Sequence, residues 1–159
     1  MKIKAFLDTN VLMDILQKGR PSSECSSVIL QAVYDNRIEA VITSQSIIDA
    51  SYLAFKAGGG PLFLETLKKW IYNINTDQID TFDILWAIRH YSGDFEDDAQ
   101  VSRALETFCD VFITGDKNLR NKYKGKYDHL LFMSPEEFVA IMKGEVPPPA
   151  PAQIKESIE

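Results

Sequence analysis

The chain has 159 residues, 45% hydrophobic and 25% charged, with a formal net charge of −6. That balance is ordinary for a soluble globular protein, and the length suits one domain with a sizeable core. No apolar run approaches the ~20 residues of a membrane span. The opening MKIKAFLDTN enters a strand-like run with no signal-peptide core, so a cytoplasmic chain is expected. Cys25 and Cys109 lie in apolar helical surroundings and read as reduced core residues, not a disulfide. The acidic balance argues mildly against a nucleic-acid partner.

In chain order, IKAFL (3–7) reads as a strand ending at Asp8, followed by helical spacing over 11–16 and a break at Gly19-Arg20-Pro21. Ser22 or Ser23 can cap a helix over about 23–36. AVIT (40–43) is a buried-strand candidate. A helix capped by Ser44 or Ser46 should then run to Lys56 and stop at Gly58-Gly59-Gly60. Pro61 opens the next helix, with Leu64, Leu67, Trp70 and Ile71 as its apolar face, and a weak strand is expected near 72–75. Asp80 or Thr81 caps a helix in which Ile84, Ala87, Ile88 and Tyr91 recur at helical spacing. GDFEDDAQ (93–100) then leads into a helix reaching about Phe108. VFIT (111–114), a polar loop and LLFM (130–133) follow, and SPEE (134–137) has the pattern of a capping box. EVPPPAPAQ (145–153) cannot continue a helix. The expected organisation is therefore one domain over 1–144 and an extended Pro-rich tail over 145–159. Buried strands alternating with helices point to a parallel sheet covered on both faces.

In such sheets, sites form beyond the carboxyl ends of the strands. Two strands end in acids, Asp8 and Asp116, although turns and caps favour Asp in any case. Helical phase sorts the acidic cluster. Val101, Ala104, Leu105 and Phe108 make a core stripe, and counting back from Val101 lands on Asp97, Asp98 and Asp94. Glu96 aligns instead with Gln100, Arg103 and Thr107, the polar face. Asp97 thus points to the edge of the core, where a helix N-terminus accounts for part of its stabilisation. If it converges with Asp8 and Asp116, three carboxylates at one cleft must protonate or hold a cation. Oxygen donors select Mg²⁺ or Mn²⁺, and with His90 and His129 isolated zinc is not expected.

LDTNVL (7–12), DFEDDAQ (94–100) and ITGDKNL (113–119) resemble, in order and spacing, the PIN domain family of metal-dependent ribonucleases, over roughly residues 3–140. The resemblance implies a three-layer α/β/α sandwich around a five-stranded parallel sheet of order 3-2-1-4-5, which sets Asp8 beside Asp116. It implies Asp8, Asp97 and Asp116 as metal-site acids, with Asn10 and Thr114 as polar supports. The family's usual Glu after the second strand is matched by Asp49, one methylene shorter. Glu96 is a candidate for positioning a second ion or a water, and Asp98 reads as first-turn helix charge. The resemblance further suggests a VapC-like toxin with an RNA substrate, an antitoxin partner and a homodimeric state. Lys117, Arg120, Lys122, Lys124 and Lys126, interleaved with Tyr123 and Tyr127, form a basic stretch that could hold RNA or be a solvated loop. A degenerate PIN module that binds RNA or a protein without cleavage is the alternative. A phosphohydrolase of the haloacid dehalogenase type is disfavoured, since Asp8-Thr9-Asn10 lacks the Asp-x-Asp pattern.

Overall fold

The computed structural model describes residues 2–16, 19–145 and Pro147. The expected tail over 145–159 lies outside the described residues, apart from Glu145 and Pro147. Five strands, β1 (Lys4–Leu7), β2 (Glu39–Thr43), β3 (Ile74–Asp77), β4 (Val111–Ile113) and β5 (Leu131–Met133), form one sheet of order β3-β2-β1-β4-β5. Every strand pair is parallel. The helices are α1 (Thr9–Leu16), α2 (Ser23–Tyr34), α3 (Ser44–Lys56) and α4 (Gly60–Trp70), then α5 (Thr81–Arg89), α6 (Phe95–Glu106), α7 (Lys117–Tyr123) and α8 (Pro135–Met142).

Because side chains alternate along a strand, the sheet feeds two cores. Ala5, Leu7, Ala40, Ile42, Val111 and Ile113 pack on one face, with α1, α2, α3, α4 and α8. Phe6, Val41 and Phe112 pack on the other, with Val101 and Ala104 of α6 and Leu119 and Tyr123 of α7. Both faces of the central strands are dry, which is why they read as continuous apolar runs. Sequential strands β1 and β2 are neighbours, and β1 also pairs with β4, in the register Leu7↔Ile113. β1 is therefore the point where the winding reverses, and the residues just beyond it face the crevice between the two halves.

The capping box at Ser134 and Glu137 forms as the sequence predicts. Asp80 caps α5 in a second capping box, with Asp83. At α3 the cap is Thr43, one residue ahead of the expected Ser44, accepting from the Ser46 amide at 3.1 Å.

Several expectations change. The polar stretch after β4 is not a loop: Asp116 caps a helix, α7, whose Leu119 and Tyr123 are buried four residues apart. β3 forms over Ile74–Asp77, two residues later than expected, because a 3-10 turn occupies Ile71–Asn73. α6 ends at Glu106, so Phe108 leaves the core stripe; it has φ of 55° and is exposed. The apolar stripe of α5 faces outward, with Ile84, Ile88 and Tyr91 exposed while Asp83 and Ala87 are buried.

That inversion is explained by the face of α6 read as polar. Gln100 is buried and donates to Glu96. Arg103 lies against α5, donating from Nε to Asp83 Oδ2 at 2.9 Å and pairing with Asp80 at 2.9 Å and Asp77 at 3.8 Å. Ser102 Oγ donates to the other Asp83 oxygen at 2.7 Å. A buried carboxylate, not an apolar stripe, fastens α5 to α6. Arg103→Leu leaves Asp83 buried without its cation and should lower stability by about 3 kcal/mol, read as a reduced urea midpoint at unchanged slope. A loss under about 1 kcal/mol would be the value of an exposed pair and would contradict the hub.

Candidate functional site

Asp8 follows the last residue of β1 and is buried. Its amide donates to Ile113 O of β4 at 3.1 Å, which extends the ladder by one residue and fixes the backbone. Thr114, one residue beyond β4, donates from Oγ1 to Asp8 Oδ2 at 2.7 Å. The same Thr114 oxygen accepts from the Asp116 amide at 3.0 Å, so one hydroxyl links the two strand-end acids. Asp116 in turn caps α7, accepting from the amides of Asn118 and Leu119 at 2.8 and 3.2 Å.

Asp94 caps α6 by accepting from the Asp97 amide at 3.0 Å. Gly93, with φ of 115°, turns the chain into this cap through a backbone shape that L-residues rarely adopt. Asp97 is half-buried, one turn into the helix. From the other side, Thr9 Oγ1 donates to Ser46 Oγ at 2.8 Å and pins the start of α1 to α3. Asp49 lies one turn along α3, accepting from Gln45 at 2.9 Å.

These elements surround a cleft of about 420 Å³. Six acids line it: Asp8, Asp49, Asp94, Glu96, Asp97 and Asp116. Asn10 stands among them, and Tyr52 and Leu53 of α3 form the apolar rim. The negative charge is poorly compensated. Burial pushes the Asp97 carboxyl up to about 7, with Asp8, Asp94, Asp116 and Glu96 adding to the shift. Burial likewise raises Asp8 to about 6 against the opposing hydrogen bond from Thr114. Glu96 is raised by partial burial and by the nearby Asp49 and Asp94. The face reading of Glu96 therefore changes: it borders the cleft together with Asp97.

The donor set suits a hard divalent cation, since every titratable ligand is an oxygen. Among the described residues no three acidic, His or Cys side chains close into a ready coordination shell. Mg²⁺ is commonly held by one or two carboxylates and keeps several waters, so open spacing is consistent with that ion.

Other residues take different places. Asp98, read as first-turn helix charge, does lie in the first turn of α6 but is fully buried. It accepts from the Ser92 amide at 2.8 Å, from Ser92 Oγ and from Tyr123 Oη. Burial, together with the Asp98 carboxylate, holds the Tyr123 phenol well above its ordinary range. The count back from Val101 gave Asp98 the same inward phase as Asp97, and Tyr123 lies four residues from Leu119; those were the available signals.

None of the five basic residues lines the acidic cleft. Lys117, Arg120 and Lys124 line a separate cleft of about 790 Å³ beside β5 and α8. Arg120 donates to Thr114 O at 2.8 Å, Lys126 Nζ sits 5.1 Å over the Tyr123 ring, and the Lys122 ammonium lies beside Gly93. Tyr123, buried, and Tyr127, partly buried, pack in a ring cluster with Phe132 and Trp86 that does not line the acidic cleft.

Residues 4–118 match the family model for the PIN domain. The chain belongs to the PIN domain family. Solved structures of the same fold include VapC20 of Mycobacterium tuberculosis, a sarcin–ricin-loop-cleaving toxin, 7% identical at a TM-score of 0.59 over 72% of this chain and 92% of that one. PAE2754 of Pyrobaculum aerophilum is 15% identical at a TM-score of 0.64, over 91% of this chain and 98% of its own. VapBC2 of Rickettsia felis, bound to a DNA fragment from their promoter, is 13% identical at a TM-score of 0.59, over 83% and 98%. At such identities the likeness is one of fold. No curated protein matches the chain in sequence.

In this PIN domain the raised acids set a pH dependence. Asp8 and Asp97 hold protons in the folded state that the unfolded chain has lost. Their contribution to stability is complete below about pH 4 and is lost as the pH rises through about 6 and 7. The metal-free melting temperature should therefore fall between pH 5 and pH 8. Asp97→Asn should flatten that fall and melt at or above the wild type at pH 8. A marked loss of stability in Asp97→Asn would instead mean that the carboxylate serves the helix.

Proposed function

We infer that this PIN domain is a Mg²⁺- or Mn²⁺-dependent endoribonuclease, the toxin of a toxin–antitoxin pair. The observation that carries the reading is the gathering of six acids at the reversal of the sheet, with Asp8 and Asp97 pushed toward neutrality chiefly by burial and further by the acids around them. Such charge calls for a cation, and a cation beside phosphate suits phosphoryl transfer. The descriptions of similar folds agree: VapC20 is a sarcin–ricin-loop-cleaving toxin, and another is a toxin–antitoxin complex from Klebsiella pneumoniae.

Asp8, Asp97 and Asp116 would hold the ion, with Asp49 in support and Glu96 available for a second ion or a water. When bound, the ion polarises the phosphate oxygens and acidifies the attacking water. Thr114 holds the Asp8 carboxyl in one orientation through its 2.7 Å hydrogen bond. Asn10, on the first turn of α1, offers an uncharged amide to substrate. Water attacks phosphorus and the bond to the 3′-oxygen breaks, leaving a 5′-phosphate and a 3′-hydroxyl. Among the described residues no helix is long and apolar enough to cross a membrane, in keeping with action in the cytoplasm. The outward-facing Ile84 and Ile88 of α5, with Tyr91 just beyond it, offer an apolar surface for a second copy of the chain.

The second reading is a binding module without cleavage. It is favoured by the short reach of Asp49, which is already engaged by Gln45. Incubation of varied single-stranded and structured RNAs with Mn²⁺ separates the two. Cleavage by wild type should disappear in Asp8→Asn, fall in Asp49→Ala and persist or rise in Asp49→Glu. RNA binding without cleavage by wild type, with activity gained in Asp49→Glu, would establish the degenerate binder.

A further inference from the structure

Tyr123 and Tyr127 do not line the acidic cleft, so neither supplies it with a surface for a base. α3 supplies another aromatic. Asp49, Tyr52, Leu53 and Lys56 recur at i, i+3, i+4 and i+7, and so share one face of the helix. The first three line the acidic cleft. Tyr52 is 65% exposed and borders the six acids of the cleft, so its ring is open to a partner there. Lys56 Nζ lies 6.0 Å from the centre of that ring, and Lys56 forms no ion pair among the described residues. From Asp49 to Lys56 this face advances about 10 Å along the helix axis. It presents in order a carboxylate, an aromatic plane and a cation. The three correspond to the parts of one nucleotide step: the metal-bound phosphate, an unpaired base and the next phosphate.

We propose that Tyr52 and Lys56 form a nucleotide-binding subsite beside the acidic cleft, in which an unpaired base of a single strand stacks on the Tyr52 ring and the adjoining phosphate rests against Lys56. This rests on the nuclease reading of the cleft and assigns to it two residues that position the strand. Stacking on an aromatic side chain accepts any base, so the subsite positions a strand without selecting its sequence. The ring is accessible and Lys56 is exposed at the end of α3, so neither is needed for the core.

The test is fluorescence anisotropy with a short fluorescein-labelled single-stranded RNA in EDTA, where no cleavage competes. Tyr52→Ala should weaken binding at least about 5-fold, as loss of one base stack does, and Tyr52→Phe should stay within about 2-fold of wild type. Lys56→Ala should make the dependence of log K on log salt shallower by about 0.7, the value of one single-strand phosphate contact. Mn²⁺ affinity, titrated separately, should be the same in all three variants. Tyr52→Ala binding within 2-fold of wild type overturns the proposal, as does a Tyr52→Ala change in sedimentation from dimer to monomer at unchanged RNA affinity, which would make Tyr52 a subunit contact. Tyr52-dependent binding by a wild type that cleaves no RNA in Mn²⁺ upholds the subsite and overturns the nuclease reading alone.

Discussion

The hydrogen bond from Thr114 to Asp8 joins the first strand to the fourth at the one edge where the sheet reverses direction. Its consequences spread in both directions. The backbone of Asp8 is locked to Ile113, Thr114 receives the amide of Asp116, and Asp116 in turn starts α7. A carboxylate placed in so dry a position is costly. The surrounding elements bring it more negative charge: Asp97 from α6, Asp49 from α3 and Glu96 on the rim.

The contrast with the other buried acids shows that this is specific to the cleft. Asp14 accepts from Arg20 and Ser26, Asp83 from Arg103 and Ser102, and Asp98 from Ser92 and Tyr123. Each of those carboxylates is answered by a cation or by several donors, and each fastens one element to another. Asp8 has a single side-chain donor within the cleft, and Asp97 is raised by burial with four acids adding to the shift. The fold therefore uses acids in two ways. Asp14, Asp83 and Asp98 hold one element against another, whereas the cleft acids form no ion pair among the described residues and face a space that a cation can enter. Asp98 and Asp97, adjacent in the chain, fall on opposite sides of that division, and Asp98 holds the start of α6 against α7 so that Asp97 can face the cleft.

Much of the fold was legible because strands buried on both faces leave short apolar runs, and because caps such as Ser134-Pro135-Glu136-Glu137 are local signals. The cleft acids Asp8 and Asp116 were legible as strand-end residues, and Asp97 through helical phase. What was not legible came from long-range polar contacts. Asp83 and Arg103 are twenty residues apart, and nothing local shows that their pairing will turn the charged side of α6 inward and leave Ile84 and Ile88 outside. The seven residues of α7 are too few for a periodic pattern, so the buried pair Leu119 and Tyr123 was hidden among lysines. The lysines themselves misled through their density. Proximity in sequence to Asp116 did not bring Lys117, Arg120 and Lys124 into the lining of the acidic cleft; they line the cleft beside β5 and α8.

The account stands on the claim that the uncompensated acids exist to hold a cation. Isothermal titration of Mn²⁺ into wild type and into Asp8→Asn at about pH 6, where the raised carboxyls of Asp8 and Asp97 still hold protons, addresses it directly. Wild type should bind with release of protons, since the ion must displace those held by the raised carboxyls, and Asp8→Asn should bind far more weakly and release fewer. Equal Mn²⁺ binding by the two proteins, or none by wild type, would contradict the account.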